Sequence, residues 1–146
     1  MGKIPTAAGE KFESKLVSTG KVRTTSAYFF PDGKHILYAS THLANKDSPP
    51  VPDRSKYGNK YIWAVYEGFD IFKADTSGKI IQRLNTTNGY DAEATIYPKR
   101  DKILFTSLRD GDLDLCTMDL NGRYVKRITN TLRYSPAHGL ALTEQK

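Results

Sequence analysis

The strongest constraint on this chain is that much of it is written twice. Residues 27–40, AYFFPDGKHILYAS, lie over residues 94–107, ATIYPKRDKILFTS, at a constant spacing of 67. Ala27, Pro31, Ile36, Leu37 and Ser40 meet Ala94, Pro98, Ile103, Leu104 and Ser107, and aromatics meet at Phe30/Tyr97 and Tyr38/Phe105. A second block, residues 70–78 (DIFKADTSG), repeats as residues 114–122 (DLCTMDLNG) at a spacing of 44. The pairing runs on through Arg83/Arg127, Leu84/Ile128, Thr87/Thr131 and Tyr90/Tyr134. The spacings differ by 67 minus 44, so the first copy carries 23 extra residues between Ser40 and Asp70. Such self-similarity limits the architecture before any single residue does.

Each copy parses into four strands, expected at 26–30 and 93–97, 35–40 and 102–107, 69–74 and 113–118, and 80–84 and 124–128. Ile36/Tyr38 and Ile103/Phe105 alternate with other residues at the period of a strand. The breaks carry turn chemistry in Pro31-Asp32-Gly33, Ser77-Gly78 and Asn121-Gly122. Nine Tyr and six Phe suit pleated, half-buried surfaces, and no segment shows a capped helical stripe. The expected fold class is all-β. A unit of about 40–45 residues with four antiparallel strands is the signature of a propeller blade. One such sheet cannot bury both faces, so blades stack and the ring closes.

Three motifs carry a family resemblance: Phe-Pro-Asp-Gly-Lys-x-Ile-x-Tyr from Phe30 to Tyr38, Thr-Ser-x-Arg-Asp-Gly-Asp-x-Asp-Leu from Thr106 to Leu115, and Met-Asp-x-x-Gly from Met118 to Gly122. Together they resemble the TolB-type, WD-like β-propeller repeat, although no Trp-Asp dipeptide is present. The resemblance spans residues 16–134. It implies an uncharacterised TolB-like bacterial protein made of β-propeller blades of four antiparallel strands, and it suggests the periplasm. The same repeat occurs in propeller domains of some prolyl oligopeptidase-like peptidases. The blade boundaries follow from the repeat. Residues 1–21 hold the last strand of a preceding blade, with Phe12 and Leu16 as its apolar members. Residues 22–89 form a blade with an insertion at 41–69, and 90–134 form a second blade. Residues 135–146 form a tail or the start of the next blade. Two full blades with flanking partial strands leave two sheet faces open. That predicts self-association, or pairing with the remaining blades of a longer propeller. In the second copy Lys99-Arg100-Asp101 replaces Asp-Gly-Lys, so that turn must be built without glycine.

The insertion at 41–69 stands where the second copy has only 108–113. Long loops in compact domains usually carry function or disorder. Pro49, Pro50 and Pro52 favour an extended segment. Tyr57, Tyr61, Trp63 and Tyr66 follow, a run of rigid aromatics typical of contact surfaces. These four are the expected partner-binding residues. The alternative is that they fold back onto the blade and anchor the insertion.

Two further groups are candidates. Asp91 and Glu93 open a first strand, the innermost of a blade, with Arg23 and Tyr90 on the same rim; in a closed ring they would approach the central channel. Asp110, Asp112 and Asp114 alternate as calcium ligands can. An EF-hand loop, however, needs Gly at its sixth position and Glu at its twelfth, where Leu115 and Asn121 stand. A turn is therefore preferred over a calcium ion, and no other cofactor is implied.

Nothing else points to catalysis. There is no nucleophile elbow, P-loop or dinucleotide fingerprint, and His35, His42 and His138 lack metal-ligand spacing. Cys116 is the single cysteine, so no intrachain disulfide forms, and its alignment with Phe72 makes it a small apolar side chain. The net charge of +6 is spread through turns and interleaved with acids, which argues against nucleic acid. No apolar run approaches the roughly 20 residues of a membrane span. The first ten residues lack the apolar core of a signal peptide. That leaves a cytosolic protein or one whose leader lies outside this chain. The expected function is a non-catalytic scaffold that binds a protein or peptide. The alternative is a propeller that binds a metal or small ligand, or a propeller fragment accessory to a peptidase.

Overall fold

A computed structural model describes residues 14–44, 46–58, 61–129, 134–135 and 140–143. The chain is all-β. Strands β1 (Thr24–Phe29), β2 (His35–Ser40), β4 (Asp70–Asp75) and β5 (Ile80–Arg83) form one antiparallel sheet in the order β1-β2-β4-β5. Strands β6 (Asp91–Ile96), β7 (Lys102–Ser107), β8 (Asp114–Asp119) and β9 (Lys126–Arg127) form a second sheet in the order β6-β7-β8-β9. The remaining strands are β3 (Tyr61–Ala64), β10 (Tyr134–Ser135) and β11 (Leu140–Thr143), which form a small third sheet in the order β10-β11-β3. A short 3₁₀ helix, Arg54–Tyr57, lies between β2 and β3.

The first two sheets match register for register. Ser40 pairs with Asp70 and Ser107 with Asp114; His35 pairs with Asp75 and Lys102 with Asp119. Both first strands carry the same β-bulge, between Thr25 and Tyr28 and between Ala92 and Thr95. Ser26 and Glu93 take φ of 51° and 52° at these bulges. The bulges explain why the first strands start two residues before the expected positions: pairing resumes on the far side of the extra residue. At the other end β9 is shorter than the expected 124–128, because Tyr124 sits at φ 56° and breaks the ladder.

Three turns share one device, an aspartate that closes its own turn. Asp32 Oδ1 accepts from the N–H of Lys34 and His35 at 2.8 and 3.1 Å. Asp75 and Asp119 do the same for the turns that follow β4 and β8. His35 Nδ1 lies 2.6 Å from Asp32 Oδ2, and hydrogen bonds from His35 and Lys34 hold the Asp32 carboxyl down at about 2. The turn without glycine is made by Arg100, whose φ of 60° reproduces the 65° of Gly33.

The core lies between the two large sheets. Leu37, Ala39 and Ile71 of the first pack with Ala92, Ala94, Ile103, Phe105, Cys116 and Met118 of the second. The small Ala92 and Ala94 let β6 come close to β1 and β2. Burial drives the Cys116 thiol pKa up, so it acts as an apolar side chain. The far face of the first sheet carries Ile36, Tyr38, Phe72 and Ala74, with Val17 packed on it. Residues 14–23, where a last strand of a preceding blade is expected, form no strand; Phe12 lies outside the described residues.

Gly122 marks where the sheets meet most tightly outside the core. It has φ 80°, and an added Cβ would overlap the Leu84 carbonyl oxygen. Gly122→Ala should therefore lower stability by more than about 2 kcal/mol, the sum of a left-handed alanine and a backbone clash. Arg100→Gly should raise it by about 1 kcal/mol, because the left-handed strain of a non-glycine residue is relieved. Urea denaturation of both variants measures the pair.

Candidate functional site

The insertion reaches back over the starts of the two first strands. Pro49 and Pro50 lie outside any strand, so no sheet ladder takes their carbonyls. Arg23 Nε and Nη2 donate to Pro49 O at 3.2 and 3.1 Å. Tyr66 Oη donates to Pro50 O at 2.9 Å. The Arg23 guanidinium lies over the Tyr66 ring, with Cζ 4.4 Å from the centroid, a cation–π contact. Asp53 caps the 3₁₀ helix by accepting from Ser55 N and Oγ at 3.1 and 2.6 Å, and these bonds lower its carboxyl pKa. Beyond the helix, β3 pairs with β11 from Ala64↔Leu140 to Tyr61↔Thr143. The insertion is thus tied at both ends.

A cleft of about 630 Å³ opens beneath it. Its walls are Val22, Arg23, Thr24 and Thr25 at the start of β1, and Val51, Pro52, Arg54, Ala64 and Tyr66 of the insertion. Phe69, Tyr90 and Glu93 complete the lining. Phe69 and Tyr90 meet edge to face at 5.7 Å and 74°, and a parallel bridge joins their backbones, with Asp91 N donating to Phe69 O at 3.1 Å. Two lining residues hold left-handed backbone, Val22 at φ 65° and Glu93 at φ 52°. For a β-branched residue this conformation costs about 1–3 kcal/mol and is found mostly at functional sites. Glu93 Oε2 accepts from Thr106 Oγ1 at 3.2 Å.

The candidates from sequence divide cleanly. Arg23, Tyr66, Tyr90 and Glu93 come together on this one cleft, although they were singled out as two groups. Tyr57 ends the 3₁₀ helix and does not line the cleft. Tyr61 and Trp63 lie on β3 by their backbone, beside Ala64; their side chains are outside what the structure describes, as is His138. Asp91 is 1% exposed and turned into the sheet–sheet boundary. It accepts from Asn85 Nδ2 at 2.8 Å, from Thr87 Oγ1 at 2.5 Å and from Arg109 Nη2 at 3.2 Å. Asn85 Nδ2 also donates to Asp70 Oδ1 at 3.1 Å, and its Oδ1 accepts from Ile71 N at 2.6 Å. Arg83 Nη2 completes the set, 2.8 Å from Asp70 Oδ2.

The second sheet carries the matching half of this network. Thr129 Oγ1 donates to Asp114 Oδ1 at 3.0 Å and accepts from Leu115 N at 2.8 Å. Arg127 pairs with Asp114 and Asp110, both at 3.3 Å. Asp112 is half-buried. No group of three or more His, Cys, Asp or Glu side chains is arranged to hold a metal ion among the described residues.

Sequence reasoning passed over Val51, Pro52 and Arg54 as cleft walls, and Asn85 and Arg109 as network members. Asn85 and Arg109 did carry a signal: they stand where the repeat has Thr129 and His42. His42 sits 4.4 Å from the Phe72 ring, with Nδ1 3.2 Å from Ser40 Oγ. Burial holds its imidazole below the ordinary 6.5, against the opposing pull of Asp70. No protein-family model matches the chain, and no curated protein matches it.

Two outcomes follow from these partners. Asp91→Ala leaves Arg109 without its buried carboxylate and removes one of two acceptors of Asn85, and should cost about 3–5 kcal/mol in urea denaturation; Thr87→Val, which removes one neutral donor, should cost about 1 kcal/mol. His42 binds a proton less readily folded than unfolded. Its contribution is intact above the ordinary value and is lost as pH falls below it. The stability of His42→Gln should accordingly decline less than that of the parent between about pH 7 and about pH 5, measured by thermal denaturation across that range.

Proposed function

We propose that this chain is a non-catalytic binding module of the propeller type, and that the cleft under the insertion receives an extended segment of a protein or peptide partner. The observation that carries the reading is the convergence of Arg23, Tyr66, Tyr90 and Glu93 on one cleft of about 630 Å³. Pockets of this size with apolar walls and a few fixed polar groups bind ligands, and aromatic and arginine anchors dominate recognition surfaces. The cleft is also preorganised. Arg23 is held by Pro49 and Tyr66, so binding does not have to immobilise it. The resemblance to TolB-type repeats, with two four-stranded sheets in one strand order, supports the propeller part of the proposal. So does the outer side of the second sheet, where Leu115, Val125 and Ile128 are 39%, 40% and 56% exposed. Further blades, in this chain's own assembly or a longer one, would cover such residues.

A displayed library of random peptides, selected on the intact chain, tests the binding role. Selected peptides should bind the parent and lose about tenfold or more in affinity on Tyr66→Ala. Tyr97→Ala, in a groove with Phe29 and Pro98 away from the cleft, should leave binding unchanged. No enriched peptide, or equal losses in the two variants, would count against the cleft.

A further inference from the structure

We infer that the cleft receives a carboxylate of the extended peptide, with Arg23 as the fork that binds it and Arg54 as the second cation. This rests on the peptide-binding reading above and goes beyond it by naming the chemistry of the recognised group.

Two arginines and one glutamate line the cleft, so its charge is positive. The glutamate is also occupied, since Glu93 Oε2 takes the Thr106 hydroxyl at 3.2 Å. Arg23 spends Nε and one hydrogen of Nη2 on the Pro49 carbonyl and lays one face on Tyr66. Its position is therefore fixed, and the guanidinium has donors beyond those two. Arg54 projects from the 3₁₀ helix, is exposed, and forms no ion pair among the described residues. A planar guanidinium fork matches the edge of a planar carboxylate. Among the described residues the lining contains no lysine and no glycine, and they form no glycine-rich backbone nest of the kind that cradles a tetrahedral phosphate. Apolar side chains from both walls, Val22, Val51 and Phe69, leave the flanking chain of the ligand apolar contact. Beyond the cleft, the net charge of +6 speeds the approach of an acidic partner.

A peptide carboxylate has two sources, an acidic side chain or a chain terminus, and the test separates them. The probes are fluorescein-labelled, alanine-based hexapeptides. One has a central glutamate pair and an amidated C-terminus. Another has glutamines in place of the glutamates and a free C-terminal carboxylate. The reference has glutamines and an amide. Fluorescence anisotropy with the full chain should show a carboxylate-bearing peptide binding about tenfold or more tightly than the reference. Arg23→Gln should abolish that preference, and Arg54→Gln should reduce it. Binding of the glutamate peptide alone assigns a side chain, and binding of the free-terminus peptide alone assigns a chain end. Arg23→Gln also releases Pro49, so Arg54→Gln, which disturbs no described contact, is the control for a merely structural loss. Equal binding of all probes, no binding of either carboxylate probe, or a preference unchanged in both variants overturns the inference. If the displayed library yields neutral peptides that depend on Tyr66, the peptide-binding reading stands and the carboxylate assignment falls. If it yields none, both fall.

Discussion

A buried amide, beside the backbone bridge of Phe69 and Tyr90, ties the two large sheets together. Asn85 lies at the end of the first sheet and reaches three partners at once: the Ile71 N–H, the Asp70 carboxylate and the Asp91 carboxylate. The last of these belongs to the second sheet. Two carboxylates buried this close to each other are tolerable only because each has its own guanidinium, Arg83 for Asp70 and Arg109 for Asp91. Hydrophobic contact between Ala92, Ala94, Leu37 and Ile71 supplies attraction but no direction. The hydrogen bonds supply the direction, and they place β6 alongside β1. Everything at the cleft inherits that placement, because Arg23 leads into one strand and Tyr90 into the other.

The duplicated sheets differ where the network differs. Asp114, Arg127 and Thr129 reproduce Asp70, Arg83 and Asn85 within the second sheet. A threonine hydroxyl can satisfy the Leu115 N–H and the Asp114 carboxylate, but its one hydrogen is then spent, whereas the two N–H groups of an amide can bridge further. His42 similarly keeps the contact to Ser40 that Arg109 makes to Ser107, yet it stacks on Phe72 instead of pairing with an aspartate. The local half of each motif closes the end of its own sheet. The bridging half joins the first sheet to the second.

The insertion solves a different problem. Proline carbonyls in an extended segment have no ladder partner, and they cannot be left dry. Here Arg23 and Tyr66 take them. The same two residues contact each other through the guanidinium and ring, so anchoring the loop and shaping the cleft are one set of contacts. That merges the two roles weighed for the loop aromatics, since Tyr66 tucks back and lines the cleft as well. Strain at Val22 and at the bulge residue Glu93 is the accompanying cost on the opposite wall.

The sequence by itself determined the two four-stranded sheets, their second strands to the residue, the turns at Pro31-Asp32-Gly33, Ser77-Gly78 and Asn121-Gly122, and the place of the insertion. Each of these depends on contacts close along the chain or on a period that a repeat displays twice. It also marked Arg23, Tyr66, Tyr90 and Glu93, because their residue types stood out at their positions. Only the tertiary structure decided that these four share a cleft, that Asp91 turns away from it into a buried network, and that β3 pairs with β11. The physical reason is the same in each case. Which way a polar side chain at a strand start points, and which distant strand completes a sheet edge, depends on partners many residues away. For Asp91 those partners are Asn85, Thr87 and Arg109, and no periodicity within β6 announces them.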